Sequence, residues 1–180
     1  MNESKGRLGD LLLGLRQLTE QQIDQALESQ RDAGGRLGTC LLEVDAIDEA
    51  AVLAALSLQS RRPFASAGDL QRIPTEVIAR IPSGLAVRCC AIPFADDGRE
   101  LSVAMLDPDD LAVQDDLSFA SGRRIVPHAA LELRLREAID RHYHQAAPQR
   151  YRQLWDHLHR RQFLWDGSRP EIEAPQTAPW

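Results

Sequence analysis

The chain has 180 residues, 43% of them hydrophobic, and its 27 acidic and 21 basic side chains give a formal net charge of −6. That apolar content suffices for one ordinary domain or two small ones. The charge argues against DNA or other nucleic acid as the main partner, because neutralising phosphates needs a basic face.

Residues 1–60 carry most of the acidity and one 24-residue phrase written twice, at 7–30 and 36–59. Arg7-Leu8-Gly9 opens the first copy and Arg36-Leu37-Gly38 the second, at an offset of 29. Nine positions are identical: the two triplets, Leu12/Leu41, Leu13/Leu42, Glu20/Glu49, Ala26/Ala55, Leu27/Leu56 and Gln30/Gln59. Self-similarity of this kind marks a repeated structural unit. In each copy the apolar spacing predicts a short helix, a turn and a longer helix. Thr19 with Gln22 forms a capping box for the first long helix, Asp48 caps the second, and Gly34-Gly35 stops the first. Neither copy alone has the apolar surface to close a core. The two are therefore expected to pack face to face about an approximate two-fold axis.

From residue 61 the periodicity weakens. Pro74-Thr75 opens a short helix through Arg80, and Ala86–Pro93 reads as a strand. Asp96-Asp97-Gly98 makes a turn into a second strand, Leu101–Leu106, which completes a hairpin. Asp107-Pro108-Asp109 is read as the cap of a helix over about 109–119; a strand Arg124–Val126 and a helix over 129–143 follow. Cys40, Cys89 and Cys90 lack C-x-x-C spacing and read as buried free thiols. Tyr151, Leu154, Trp155 and Leu158 form an apolar stripe on a helix over about 149–162, read here as a face for a partner or a second copy, with folding back onto the domain as the alternative. The proline-rich residues from Asp166 onward read as disordered. The fold class is α+β: an all-helical subdomain of two repeated helix-turn-helix motifs (1–60), a small α/β sandwich subdomain (61–144), and a C-terminal helical tail (145–180).

The doubled phrase follows RLG-x-x-L-[LV]-x-x-G-x-[IL]-x-x-x-x-L-x-x-A-L-x-x-Q. It resembles the MshEN domain, the GspE-like N-terminal domain of type II secretion and type IV pilus assembly ATPases. Two such motifs around five residues belong to that pattern, and Ala104–Pro108, Ser121-Gly122 and Val126-Pro127 resemble its second half. The tenth motif position, normally glycine, departs: it is Arg16 in one copy and Asp45 in the other. A left-handed residue there costs a side chain about 1 kcal/mol, and Gly14 offers an alternative turn two residues earlier.

No residue set for catalysis stands out. The only lysine is Lys5, with no glycine-rich loop before it, so there is no Walker A cradle and no motor in this sequence. No nucleophile elbow or H-E-x-x-H motif is present, and His142 and His144 sit at a spacing that points them apart on a helix. The expectation is a protein that is not an enzyme, with no cofactor and no metal. No signal-peptide pattern and no apolar run of about 18 residues appears, which predicts a cytoplasmic protein without direct membrane insertion, reaching the inner membrane only through a partner.

The resemblance implies bacterial signalling through cyclic di-GMP, a two-fold symmetric ligand for which a duplicated receptor is a natural match. Arginine forks onto phosphate and stacks on or hydrogen-bonds guanine, glycine admits close backbone approach, and the glutamine amide can read a base edge. By resemblance the binding residues are Arg7, Leu8, Gly9, Leu27, Gln30, Arg36, Leu37, Gly38, Leu56 and Gln59, with Asp107 approaching from the second subdomain. The structural alternative stays open: the leucines as core, the glycines as close helix contacts, the arginines as partners of nearby acids. A second function also stays open, a docking module for an inner-membrane secretion or pilus assembly protein or ATPase that binds no nucleotide.

Overall fold

The computed structural model describes residues 8–60 and 62–165. The two copies fold as α1 (Leu8–Gly14) with α2 (Glu20–Ala33), and α3 (Leu37–Glu43) with α4 (Glu49–Ser60). Their local hydrogen bonds repeat at the same offset as the sequence. Arg16 N–H donates to Leu13 O at 2.9 Å and Asp45 N–H to Leu42 O at 3.3 Å; Gln17 N–H reaches Leu12 O at 3.0 Å and Ala46 N–H reaches Leu41 O at 3.1 Å. Thr19 and Gln22 form the expected capping box, and Asp48 Oδ1 accepts the Ala51 N–H at 2.8 Å.

Packing between the copies is reciprocal. A methyl group on Gly9 would lie 3.6 Å from Ile23 Cδ1 and 3.7 Å from Leu37 Cδ2; one on Gly38 would lie 3.1 Å from Val52 Cγ1 and 3.7 Å from Leu8 Cδ2. Each contact is the other shifted by one repeat, with the copies exchanged. That is the signature of the expected pseudo-two-fold axis, and it sets α1 on α4 and α2 on α3. Both non-glycine turn residues are left-handed, Arg16 at φ 54° and Asp45 at φ 52°. Gly14 remains the last residue of α1, so the alternative turn is not used.

The second unit contains α5 (Ala67–Gln71), α6 (Thr75–Ile78), α7 (Ser83–Cys89), β1 (Ala91–Asp96), β2 (Glu100–Met105), α8 (Leu111–Ser121), β3 (Arg124–Ala129) and α9 (Glu132–Tyr143). The sheet order is β1-β2-β3, with β1 antiparallel and β3 parallel to β2. Three expectations are corrected. The strand expected over 86–93 begins only at Ala91. Residues 83–89 are helical because Pro82 O receives the N–H groups of Leu85 and Ala86 at 3.0 Å each, and left-handed Cys90, φ 46°, ends that helix. A short apolar run fits either period, so the spacing alone misled. The helix after Asp107-Pro108-Asp109 is capped by Asp110, whose Oδ1 accepts the Val113 N–H at 3.1 Å. The helix expected from 129 starts at Glu132, because Ala129 still bridges outward: its N–H donates to Pro63 O and its C=O accepts from Ala65 N–H, both at 2.8 Å.

Two apolar clusters form, and α9 serves both. Leu135, Ala138 and Ile139 join Ile92, Leu101, Val103 and Leu117 in one, while Leu131 and Leu133 enter the cluster of the repeats. The C-terminal helix α10 (Gln149–Trp165) folds back onto the repeats. Tyr151, Leu154 and Trp155 are buried there, so the stripe read as a partner-binding face is already covered. Residues from Asp166 onward lie outside the described residues. All three cysteines are free thiols; Cys40 and Cys90 are buried, and burial pushes the Cys90 thiol up to about 11.

Buried and half-buried ion pairs orient these pieces. Arg134 of α9 donates to Glu49 of α4 at 2.7 and 2.5 Å and to Glu137 at 2.6 Å. Arg150 of α10 pairs with Glu43 of α3 and donates to Ala33 O at 2.6 Å and Gly34 O at 2.7 Å, the orphan carbonyls at the end of α2.

Two outcomes follow from this packing. Arg16→Gly removes a left-handed side chain and raises stability by up to about 1 kcal/mol in denaturant melts. Asp45→Gly gains less, because Asp tolerates that conformation better and its carboxylate also meets His157 Nε2 at 3.2 Å. Truncation after Pro148 uncovers the side chains that Tyr151, Leu154 and Trp155 bury, each worth about 1.5–3 kcal/mol. Thermal melting of that truncated chain shifts well below wild type; an unchanged midpoint would show that α10 is no part of the core.

Candidate ligand-binding cleft

Where the repeats meet the second unit, a cleft of about 380 Å³ opens. The reciprocal packing brings equivalent residues of both copies to it: Leu8 with Leu37, and Gln30 with Gln59. Arg36, Gly38 and Leu56 complete the repeat wall, and Asp107 lines the opposite wall. Gly9 and Leu27 are placed differently. Gly9 is buried against Ile23 and Leu37, and Leu27 packs at the edge of the helical core. Arg7 lies outside the described residues.

Arg36 stands at the N-cap of α3, with its side chain exposed and making no hydrogen bond or ion pair among the described residues. Gln30 Nε2 donates to Gly35 O at 2.8 Å, which holds its amide across the spacer beside Arg36. Gly38 has two duties, lining the cleft and letting α3 approach Val52 and Leu131. Asp107 Oδ1 accepts the Asp109 N–H at 3.1 Å, so the Asp-Pro-Asp segment is a closed turn on the cleft wall rather than a helix cap.

The wall also holds residues that the sequence reading passed over, among them Thr39, Leu106, Asp109, Leu131 and Glu132. Glu132 matters most. Its carboxylate is buried and accepts four hydrogen bonds: the Arg36 N–H at 2.8 Å, the Tyr151 hydroxyl at 2.8 Å, and Arg136 Nε and Nη2 at 3.1 and 2.9 Å. Burial alone would push this carboxyl up, but those donors outweigh it and hold it below its ordinary value of 4.5. Glu132 lies outside the doubled phrase, and an i,i+4 pair with Arg136 is common on exposed helix faces, so nothing in the sequence pointed to its contacts with Arg36 and Tyr151. Among the described residues, no group of three or more His, Cys, Asp or Glu side chains is arranged to hold a metal ion. None of the described helices is long and apolar enough to cross a membrane.

The sequence profile of the MshEN domain matches residues 61–149. The type IV pilus assembly ATPase PilB of Myxococcus xanthus (strain DK1622) is 36% identical over 143 residues, covering 79% of this chain and 25% of PilB. A solved structure of MshE with cdg superposes with a TM-score of 0.56 at 30% identity, over 77% of this chain and 99% of that one. The chain belongs to the MshEN domain family. The N-terminal domain of XpsE shares the fold, with a TM-score of 0.54 at 18% identity over 78% of this chain and 96% of that one. This MshEN domain chain spans about a quarter of the length of the PilB it matches. The profile's match covers Asp107 and Glu132, whereas the doubled phrase lies outside it.

Glu132→Gln should destabilise this MshEN domain by about 2 kcal/mol at neutral pH, because charge-assisted hydrogen bonds are weakened in a buried place. A lowered folded pKa contributes stability that is fully present above the unfolded value and is lost as pH falls through the folded one. The gap between wild type and variant therefore closes as pH drops below 4.5. Urea titrations at pH 7 and pH 3 measure it; a gap that stays constant would rule out the charged form of Glu132 as its source.

Proposed function

We propose that this chain is a non-catalytic cyclic di-GMP receptor, a sensor or adaptor that works with a secretion or pilus assembly ATPase at the cytoplasmic side of the inner membrane. The observation that carries the reading is the paired lining of the cleft. Leu8/Leu37 and Gln30/Gln59 are equivalent under the pseudo-two-fold axis and reach one cavity, which suits a ligand made of two identical halves. The cavity lies within the range of about 300–1,000 Å³ usual for small-molecule sites.

Apolar leucines give the purine rings a floor, and the glutamine amides offer both donors and acceptors to base edges. The Arg36 guanidinium, exposed on a residue that lines the cleft, is suited to meet phosphate or to stack on guanine. Arg7 is its counterpart by sequence. The Asp107 carboxylate is suited to accept from a guanine N–H. The solved MshE structure with cdg, which we take as cyclic di-GMP, supports the same ligand for this chain.

Isothermal calorimetry with cyclic di-GMP, and with GTP and ATP as controls, tests the proposal. Arg36→Ala and Arg7→Ala should each weaken binding by about ten- to a hundredfold, the value of one charge-assisted contact. Arg36→Lys should recover only part, since a point charge lacks the planar fork. Arg31→Ala, outside the shared motif, should bind like wild type. Wild-type protein that takes up no cyclic di-GMP would turn the reading toward the nucleotide-free docking module.

A further inference from the structure

The pseudo-two-fold axis gives the repeats two equivalent outer faces, and among the described residues only one is covered. On the covered face α10, packed against α9, reaches α3 through its side chains. Arg150 Nη2 reaches Cys40 Sγ at 3.5 Å and the guanidinium pairs with Glu43, while His157 Nε2 meets Asp45 Oδ1 at 3.2 Å. Ser29 Oγ of α2 donates to Glu43 Oε2 at 3.3 Å, closing the polar clamp. Cys40 is wholly buried beneath it.

Shifted by one repeat, those positions become Leu11 for Cys40, Gly14 for Glu43, Leu15 for Val44, Arg16 for Asp45 and Leu58 for Ser29. No described element covers them as α10 covers the other face. Leu15 is 48% exposed and Leu58 61%, and a methyl on Gly14 would meet nothing within 4 Å. Every clamp residue of the covered face has an apolar or small counterpart here, except that a carboxylate has become the Arg16 cation. Arg16 forms no ion pair among the described residues.

We propose that this α1/α4 face binds one amphipathic helix of a partner protein, seated as α10 is seated on α3. The helix presents an apolar stripe to Leu11, Leu15 and Leu58, and a carboxylate to Arg16 where α10 presents His157 to Asp45. Among the described residues a second copy of this chain has no such helix to offer, because the apolar stripe of its α10 is already buried on its own repeats. The inference rests on the repeat's symmetry and stands whether or not the cleft binds a nucleotide.

The test uses the full chain and a labelled peptide of residues 148–163 carrying Arg150→Leu and His157→Glu, which fits α10's stripe to the apolar face and supplies the carboxylate. Fluorescence anisotropy should show saturable binding. Leu58→Glu and Leu15→Glu should each weaken it by about tenfold or more, with melting midpoints close to wild type because both side chains are exposed. Arg16→Glu should also weaken it, and should recover binding to a peptide carrying His157→Lys. Absent or non-saturable binding overturns the proposal, as does unchanged binding by both leucine variants. Sedimentation showing a wild-type dimer that Leu58→Glu dissolves would assign the face to a second copy and overturn it equally.

Discussion

The placement of one buried carboxylate, Glu132, holds the architecture together. Its oxygens receive donors from its own helix α9, from the following α10 and from the start of α3, which lies far away in the chain. A buried carboxylate with lone pairs unfilled would cost several kcal/mol. The three elements must therefore converge on it in one arrangement. That arrangement sets Arg36 at the cleft and brings Tyr151 of α10 close beside Gly35. The strand β3 ends just before Glu132, so the sheet delivers the carboxylate to the repeats. The cleft wall thus follows from the satisfaction of this group rather than from any property of the doubled phrase by itself.

The second constraint is the sharing of α9. Its N-cap Leu131 and first-turn Leu133 pack into the repeats while its later residues complete the sandwich core. A helix serving two cores at once cannot slide along either without emptying the other, since interiors are close-packed and void-poor. The two units therefore meet in a fixed relation, and a cleft walled by both keeps its shape. Arg134, pinned to Glu49 of α4, adds direction to this apolar contact. Ion pairs of this kind give little net stability after desolvation, yet removing one partner leaves a charge stranded. Apolar burial supplies the attraction and the charges select the docking angle.

How legible this was depended on the distance over which each signal acts. The repeat was readable because its signals are local and occur twice. Caps at Thr19 and Asp48, the turns at Arg16 and Asp45, and the Gly34-Gly35 stop all lie within a few residues of what they control. The hairpin turn at Asp96-Asp97-Gly98 was local too, with Asp96 Oδ1 accepting the Gly98 N–H at 2.7 Å. The segment 86–93 failed because an apolar run of that length carries no decisive period, and the proline before it acts through its carbonyl. The roles of Glu132, Arg134 and Arg150 in joining the units were invisible, because their contacts with the repeats span 85 to 117 residues of chain. The stripe on α10 was seen correctly as apolar. What it covers is a tertiary fact.

Divergence between the two copies follows from the same geometry. Several of the identical positions lie where the copies meet: Gly9 and Gly38 where the helices cross, Leu12 and Leu41 in the core, Gln30 and Gln59 at the cleft. A residue on the axis meets its own counterpart's surroundings, so both copies are held to one solution. Away from the axis each copy meets a different neighbour. The first keeps Leu15 and Arg16 toward solvent, while the second turns Val44 and Asp45 toward α10. Even the left-handed turn residue obeys this division. The backbone at both positions is the same, but Asp45 has a histidine to meet and Arg16 has none, so the side chains were free to part where the surroundings did.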